Sequence, residues 1–346
     1  MSEICLKGRD YIETQDFTAA EIDHLLATAD DLKAAFHRGE HKIVLPHQTV
    51  YLLFFDKSTR TRNAFEAGAT QLGAHAHFLE PNMLQISHGE TAKDTGIILG
   101  NMGHGIAIRH DLIPEMGNTY MREVARWADV PVINMQCDVD HPTQTLADLM
   151  TIREHFGGDV RGKKIAGSWA YAPSSAKPLS VPQGLITLMT RMGLNVILAH
   201  PPEYALMDRP MQHARENAKS AGVSFEVVDN MDDAFADADI VYPKSWGTYD
   251  LMLQKRDAAN QTEIDRIERE CLKQNAQYSD WICDASRMKL AKKDAIYMHP
   301  LPADRGAEVT DEVIDGPQSV VFQEAENRLH TAKAIMACTM RERPVK

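Results

Sequence analysis

Thr49–Leu72 reads TVYLLFFDKSTRTRNAFEAGATQL, and its three parts decide the fold. Thr49 to Phe55 is an unbroken apolar run rich in β-formers, which predicts a strand buried on both faces of a sheet. Asp56 to Arg62 is polar throughout. From Asn63 the chain turns helical in pattern, with Phe65, Gly68, Ala69 and Leu72 on one face. Strand, loop and helix in that order open a βαβ unit, whose two strands lie parallel.

The same alternation extends in both directions. A helix-periodic opening, Thr18 to Phe36, precedes the strand. After it, strands are predicted at Ala74 to Leu79, Gly105 to Arg109 and Val130 to Gln136, with helices at Thr91 to Asn101 and Tyr120 to Ala128. Thr145 to Phe156 is a longer amphipathic helix stopped by Gly157 and Gly158. A second alternation follows it. It comprises KKIAGSWA after Gly162, a helix over Pro182 to Met192, a strand at Asn195 to Ala199, a helix over Met211 to Ala221 and a strand at Val223 to Val228. Asp239 to Tyr242, Ile282 and Asp294 to Tyr297 read as further strand ends, and Glu324 to Met340 as a terminal helix. The expected fold is α/β, with two doubly wound parallel-sheet domains. Residues 1–148 with the helix 324–346 form the first, and 149–323 form the second.

Composition narrows the function. Hydrophobic residues make up 44% and charged residues 25% of 346, as in a folded globular protein. A net charge of −12 opposes a general nucleic-acid surface, which needs an excess of Lys and Arg. The five cysteines are scattered and lack a CxxC pair, which suits reduced thiols in a cytoplasm. No apolar stretch approaches the length of a membrane span, and the N-terminus lacks a secretory pattern. His75 and His77 share a strand face, but no third ligand stands at metal-binding spacing, so neither metal nor cofactor is expected.

The loop Asp56–Arg62 is the candidate anion site. A strand-to-helix junction offers unpaired N–H groups and the positive end of a helix dipole, to which Ser58, Thr59 and Thr61 add hydroxyls and Arg60 and Arg62 add guanidiniums. A plainer alternative is equally available from the residues alone. Ser58 or Thr59 could cap the helix, and the arginines could pair with Glu66 or Asp56.

Further motifs along the chain favour the phosphate. STRTR at Ser58–Arg62, QISHGETAKD from Gln85 to Asp94, Arg109 in IAIRHD, HPTQ at His141–Gln144 and HPLP at His299–Pro302 occur in order over nearly the whole length. In these the sequence resembles the aspartate and ornithine carbamoyltransferase family. The resemblance implies that Ser58, Thr59, Arg60 and Thr61 hold the phosphate of carbamoyl phosphate. It also implies that Arg109 and His141 reach the carbamoyl oxygen and Gln144 its nitrogen, that main-chain carbonyls at Pro300 and Leu301 accept from the carbamoyl NH2, and that Arg305 adds charge. Gln85 lies on a loop that in the family crosses into a neighbouring subunit, implying a homotrimer or a multiple of one. Amine attack places negative charge on the carbamoyl oxygen, so cationic donors there are chemically apt. From the residues alone, Arg109 could equally be a rim charge, His141 a helix cap and HPLP a rigid turn.

The chain departs from the ornithine enzymes. Tyr242–Gly247, YPKSWG, stands where they carry SMG, and Pro300 stands where they carry cysteine. Together with Ser168–Gly184, SWAYAPSSAKPLSVPQG, this resembles the knotted branch, which includes N-acetylornithine, N-succinylornithine and YgeW-type enzymes and implies a trefoil knot in the second domain. The C-terminal stretch from His299 is ornithine-like. Lys244 with Trp246, and Lys177 with Trp169, are the candidate second-substrate groups, each lysine a clamp for a carboxylate; a surface Lys and a core Trp are the alternative. The expected activity is transfer of a carbamoyl group to an amine of an amino acid, with domain closure excluding water. Two alternatives remain from sequence: an ornithine carbamoyltransferase proper, and a silent relative with an assembly or regulatory role. A dinucleotide enzyme is disfavoured, because Gly100, Gly103 and Gly105 lack the required spacing.

Overall fold

A computed structural model describes residues 4–175 and 177–340. Two compact units divide the chain: Met1–Asp111, Glu115–Ala147 and Glu326–Lys346 form one, and Leu112–Pro114 with Asp148–Ala325 form the other. The division falls inside two helices, so the chain leaves the first unit within one and returns to it within the other.

The first unit contains α1 (Ala19–His37), β1 (Thr49–Phe54), α2 (Arg60–Gln71), β2 (His75–Leu79), α3 (Ala92–Met102), β3 (Gly105–His110), α4 (Gly117–Trp127) and β4 (Val132–Cys137), and α5 (Pro142–Phe156) begins there. Its strands form a parallel sheet in the order β2-β1-β3-β4. Val50, Leu52, Leu53, Ile106, Ile108, Val132 and Ile133 have no exposed surface, which is why these runs carry no polar alternation.

The second unit holds β5 (Lys164–Trp169), α6 (Ser180–Arg191), β6 (Asn195–Ala199), α7 (Asp208–Ala221), β7 (Phe225–Val228), α8 (Met231–Phe235), β8 (Ile240–Lys244), α9 (Tyr249–Asp257), α10 (Gln261–Asn275), α11 (Ala285–Met288), β9 (Ile296–Tyr297) and α12 (Asp311–Ile314). Its sheet is also parallel, ordered β7-β6-β5-β8-β9. Then α13 (Val321–Thr339) carries the chain back, burying Ala332, Ala334, Ile335 and Met336 in the first unit. There α13 approaches α2 closely: a Cβ at Gly68 would stand 3.1 Å from Met336 Cε and 3.2 Å from Lys333 Cγ.

Both sheets reverse their winding direction once, between β1 and β3 in the first unit and between β5 and β8 in the second. The crevice beyond the strand C-termini at such a switch point is where open α/β sheets bind ligands. Among the described residues no helix is long and apolar enough to cross a membrane.

Candidate active site

The switch point of the first unit gathers its candidate anion-binding residues. Ser58 and Thr59 follow β1, and α2 begins at Arg60, three residues before its apolar periodicity does. Thr59 is the N-cap, yet its side chain makes no capping hydrogen bond. The capping alternative therefore fails for Thr59, and its hydroxyl stays out of the helix. Arg62 donates to Glu66 Oε1 at 2.8 Å and lies 3.5 Å over the Phe78 ring, so it belongs to the scaffold.

Arg109 sits at the end of β3, where the register with β4 shifts between Ile108 and Arg109, an irregularity of the kind that re-aims a side chain. It donates through Nε and Nη2 to the two oxygens of Asp111, each at 3.0 Å, and its Nη1 stands 3.5 Å from Ser58 Oγ. Burial pushes the Asp111 carboxyl up against the pull of Arg109, and the neighbouring Asp56 adds to the push, bringing it to about 7. His141 precedes α5 and is buried. Burial first, then the charges of Arg328, Arg109 and Arg60, hold its pKa well below the ordinary value, so it is a neutral imidazole ringed by cations. Its Nδ1 lies 3.3 Å from Thr143 Oγ1.

Arg328 completes this set from α13. It is 4% exposed and donates to Thr61 Oγ1 at 2.6 Å and to Gln144 Oε1. One guanidinium thus fixes a hydroxyl of the STRTR loop and the amide of HPTQ. Gln85 lies apart on a short 3-10 turn, Gln85–His88, with its Oε1 3.3 Å from His88 Nδ1.

In the second unit, Trp169 ends β5 and Lys244 ends β8, paired across the sheet at the switch point. Lys244 Nζ donates to Glu308 Oε1 at 3.0 Å, and the Glu308 carboxylate has no exposed surface. Glu308 also accepts the N–H of Ser245 and of Asp304, both at 2.7 Å, while His299 Nε2 lies 3.4 Å away. Burial works to raise the Glu308 pKa, but Lys244, His299 and Lys177 outweigh it and hold the carboxylate well below the usual range. The Leu301 N–H donates to His299 Nδ1 at 2.9 Å, which leaves the ring proton on Nε2, toward Glu308. Leu301 itself takes a left-handed φ of 52° before the cis peptide to Pro302, a conformation that this network holds in place. Lys177 Nζ donates to Asp304 Oδ2 at 2.7 Å.

The chain that carries this loop, with its arginines, buried histidine and glutamine amide, matches known proteins over most of its length. Residues 9–154 match the family described as aspartate/ornithine carbamoyltransferase, carbamoyl-P binding domain, and residues 179–339 match its Asp/Orn binding domain. The chain belongs to the aspartate/ornithine carbamoyltransferase family. It is 41% identical over 343 residues to YgeW of Escherichia coli O157:H7, a match covering 92% of this chain and 87% of that one. The ornithine carbamoyltransferase of Pyrococcus furiosus superposes with a TM-score of 0.83 at 34% identity, covering 98% and 99%. An N-acetyl-L-ornithine transcarbamylase variant complexed with carbamyl phosphate and N-succinyl-L-norvaline gives 0.83 at 34% identity, covering 95% and 99%. Carbamoyl transfer from carbamoyl phosphate to an amine is the reaction class of this enzyme.

Within this carbamoyltransferase, some expected groups stand elsewhere than their sequence suggested. Arg305 is exposed and engaged by Asp311 and Asp315, with Nη1 2.6 Å from a carboxylate oxygen of each. Its charge is held at the surface, whereas Arg328 brings a buried guanidinium to the STRTR loop. Trp169 and Trp246 are buried and donate their ring N–H groups to the carbonyls of Trp246 and Tyr204, at 2.9 and 2.8 Å. They pack and fasten the ends of β5 and β8, and Lys244 meets a carboxylate where an aromatic wall was expected. Glu308 and Arg328 escaped sequence reasoning. For Arg328 a signal existed: it falls on the apolar stripe of α13 with Ala332, Ile335 and Met336.

Proposed function

We propose that the first unit binds carbamoyl phosphate through Ser58, Thr59, Arg60 and Thr61, with Arg328 in the role expected of Arg305. Arg109 and His141 face the carbamoyl oxygen, Gln144 faces the carbamoyl nitrogen, and Gln85 comes from a neighbouring subunit of a cytoplasmic homotrimer. The observation that carries this reading is Arg328 joining Thr61 to Gln144 beside Arg109 and His141.

In the reaction, the amine lone pair attacks the carbamoyl carbon, and negative charge grows on the carbonyl oxygen, where Arg109 stabilises it. The C–O bond to phosphate then breaks, and the departing phosphate takes the proton released by the amine. His141 donates to the same oxygen from Nε2 in the tautomer in which the Thr143 hydroxyl turns from the Met135 carbonyl, 3.2 Å away, to donate to Nδ1.

The acceptor is an amino acid or acylated amino acid whose carboxylate meets Lys177. Of the two lysines, Lys177 is the more accessible, its side chain 13% exposed against 8% for Lys244. Lys244, Trp169 and Trp246 shape the floor behind it. We also propose the knot expected in this unit, and the loop after β5 is tied to later chain: Trp169 and Lys177 bond residues 246 and 247, while Ala172 and Ser174 accept from Asn275.

Phosphate release from carbamoyl phosphate, measured against a panel of amino acids, diamines and N-acylated ornithines with Arg60→Ala as blank, tests the assignment. One acceptor giving Arg60-dependent release supports it. Carbamoyl phosphate binding by Arg60→Ala at wild-type affinity would refute the phosphate site, and binding without turnover by any acceptor would indicate a silent relative.

A further inference from the structure

At the far end of α1, His37 meets α13. Its Nε2 lies 2.7 Å from Glu326 Oε1, and one turn further along α13 the Nε2 of His330 stands 3.4 Å from the same oxygen. The three ligand atoms lie within 4.8 Å of one another. Both histidine rings turn their Nε2 toward one point, edge to face with centroids 6.1 Å apart.

We propose that His37, Glu326 and His330 form a binding site for a divalent transition-metal ion of the zinc class, joining α1 to α13. Zinc bonds imidazole nitrogen and carboxylate oxygen at about 2.0–2.2 Å, and tetrahedral placement at that length sets neighbouring ligand atoms about 3.3 Å apart. The His330–Glu326 separation already has that value, the His37–Glu326 pair opens by about half an ångström, and the two Nε2 atoms, which stand within 4.8 Å of each other, close to it on binding.

A second observation concerns His330 alone. Its side chain is fully buried, its Nδ1 has no hydrogen-bond partner, and its Nε2 contact at 3.4 Å exceeds an ordinary N–H···O length. A buried imidazole with neither nitrogen in a good hydrogen bond is unusual. A metal at Nε2 replaces the long 3.4 Å contact with a strong bond, leaving Nδ1 as it is.

Access and charge agree with this reading. His37 and Glu326 have side chains 54% and 40% exposed, leaving an entry path and a fourth position for water. Two lysines stand nearby and oppose a cation, but each ammonium is held by other acceptors: Lys33 by Asn327 Oδ1 at 2.7 Å, Lys333 by Gln71 Oε1 at 3.0 Å. Glu326 supplies the compensating negative charge.

The test uses the full-length enzyme, stripped with EDTA and titrated with Zn2+ by calorimetry and with Co2+ by visible absorption. One equivalent should bind, with four-coordinate Co2+ bands and a rise in Tm. His37→Ala, an exposed and fold-neutral change, should weaken binding at least about tenfold and abolish the Tm rise while leaving carbamoyl transfer unchanged. Glu326→Gln should weaken binding likewise, and the nearby surface change His41→Ala should not. Absence of stoichiometric binding, wild-type affinity in His37→Ala, or equal loss in His41→Ala would each overturn the proposal.

Discussion

Asp111 grips Arg109 through two 3.0 Å hydrogen bonds while burial pushes its own carboxyl up to about 7. Above that pH the carboxylate competes with the carbamoyl oxygen for the guanidinium; below it, protonation releases Arg109. Carbamoyl phosphate affinity should therefore fall as pH rises through about 7, and Asp111→Asn should flatten that part of the profile. Initial-rate measurements of the carbamoyl phosphate KM across pH check this. The sign for folding is the same. A folded-state pKa raised above the unfolded value of about 4 means that stability declines as pH climbs from about 4 to about 7, and Asp111→Asn removes that slope. Arg328 makes a second residue-level case. Its planar fork holds Thr61 and Gln144 through two separate nitrogens, a geometry that a single ammonium nitrogen does not reproduce, so Arg328→Lys should raise the carbamoyl phosphate KM about tenfold or more with an unchanged circular dichroism spectrum.

Between elements, the Lys244–Glu308 pair ties the end of β8 to the segment that follows β9. Removing one partner of a buried ion pair leaves the other charge uncompensated, which costs about 3–5 kcal/mol. Lys244→Met should therefore lower the calorimetric Tm by roughly 10 °C, and adding Glu308→Gln should recover part of the loss. A Lys244→Met protein that melts with the wild type would mean the pair carries no stability. The elements themselves were unevenly legible. The strands stood out because both sheet faces are covered, leaving runs such as TVYLLFF with no polar interruption. The polar helices α9 and α10 were missed, since few of their residues are buried and the apolar row of α10 is no longer than Ile264, Ile267 and Cys271. The start of α2 came three residues late for a related reason, as Arg60 to Arg62 carry no apolar signal. The STRTR, Arg109 and HPTQ residues could be read as motifs. Arg328 and Glu308 could not be read so directly, because charge in a sequence says nothing of burial until its partners are placed.

At the scale of the whole chain, the first unit is discontinuous: its sheet is complete by Cys137, but α13 follows every element of the second unit. That helix contributes both apolar cover and Arg328. A protein ending at Val320 should retain the STRTR loop yet show no cooperative melting of the first unit and no carbamoyl phosphate binding, measured by differential scanning and titration calorimetry. Binding by such a truncated chain would show that Arg328 is dispensable.

The late arrival of α13 also matters during biosynthesis. A nascent chain emerging from the ribosome carries the β1 to β4 sheet long before the helix that must cover it, so the apolar face where α13 docks waits exposed while the second unit is made. A message cut short anywhere before Val321 yields no partly active enzyme, because the anion site comes into being only when translation of α13 is finished.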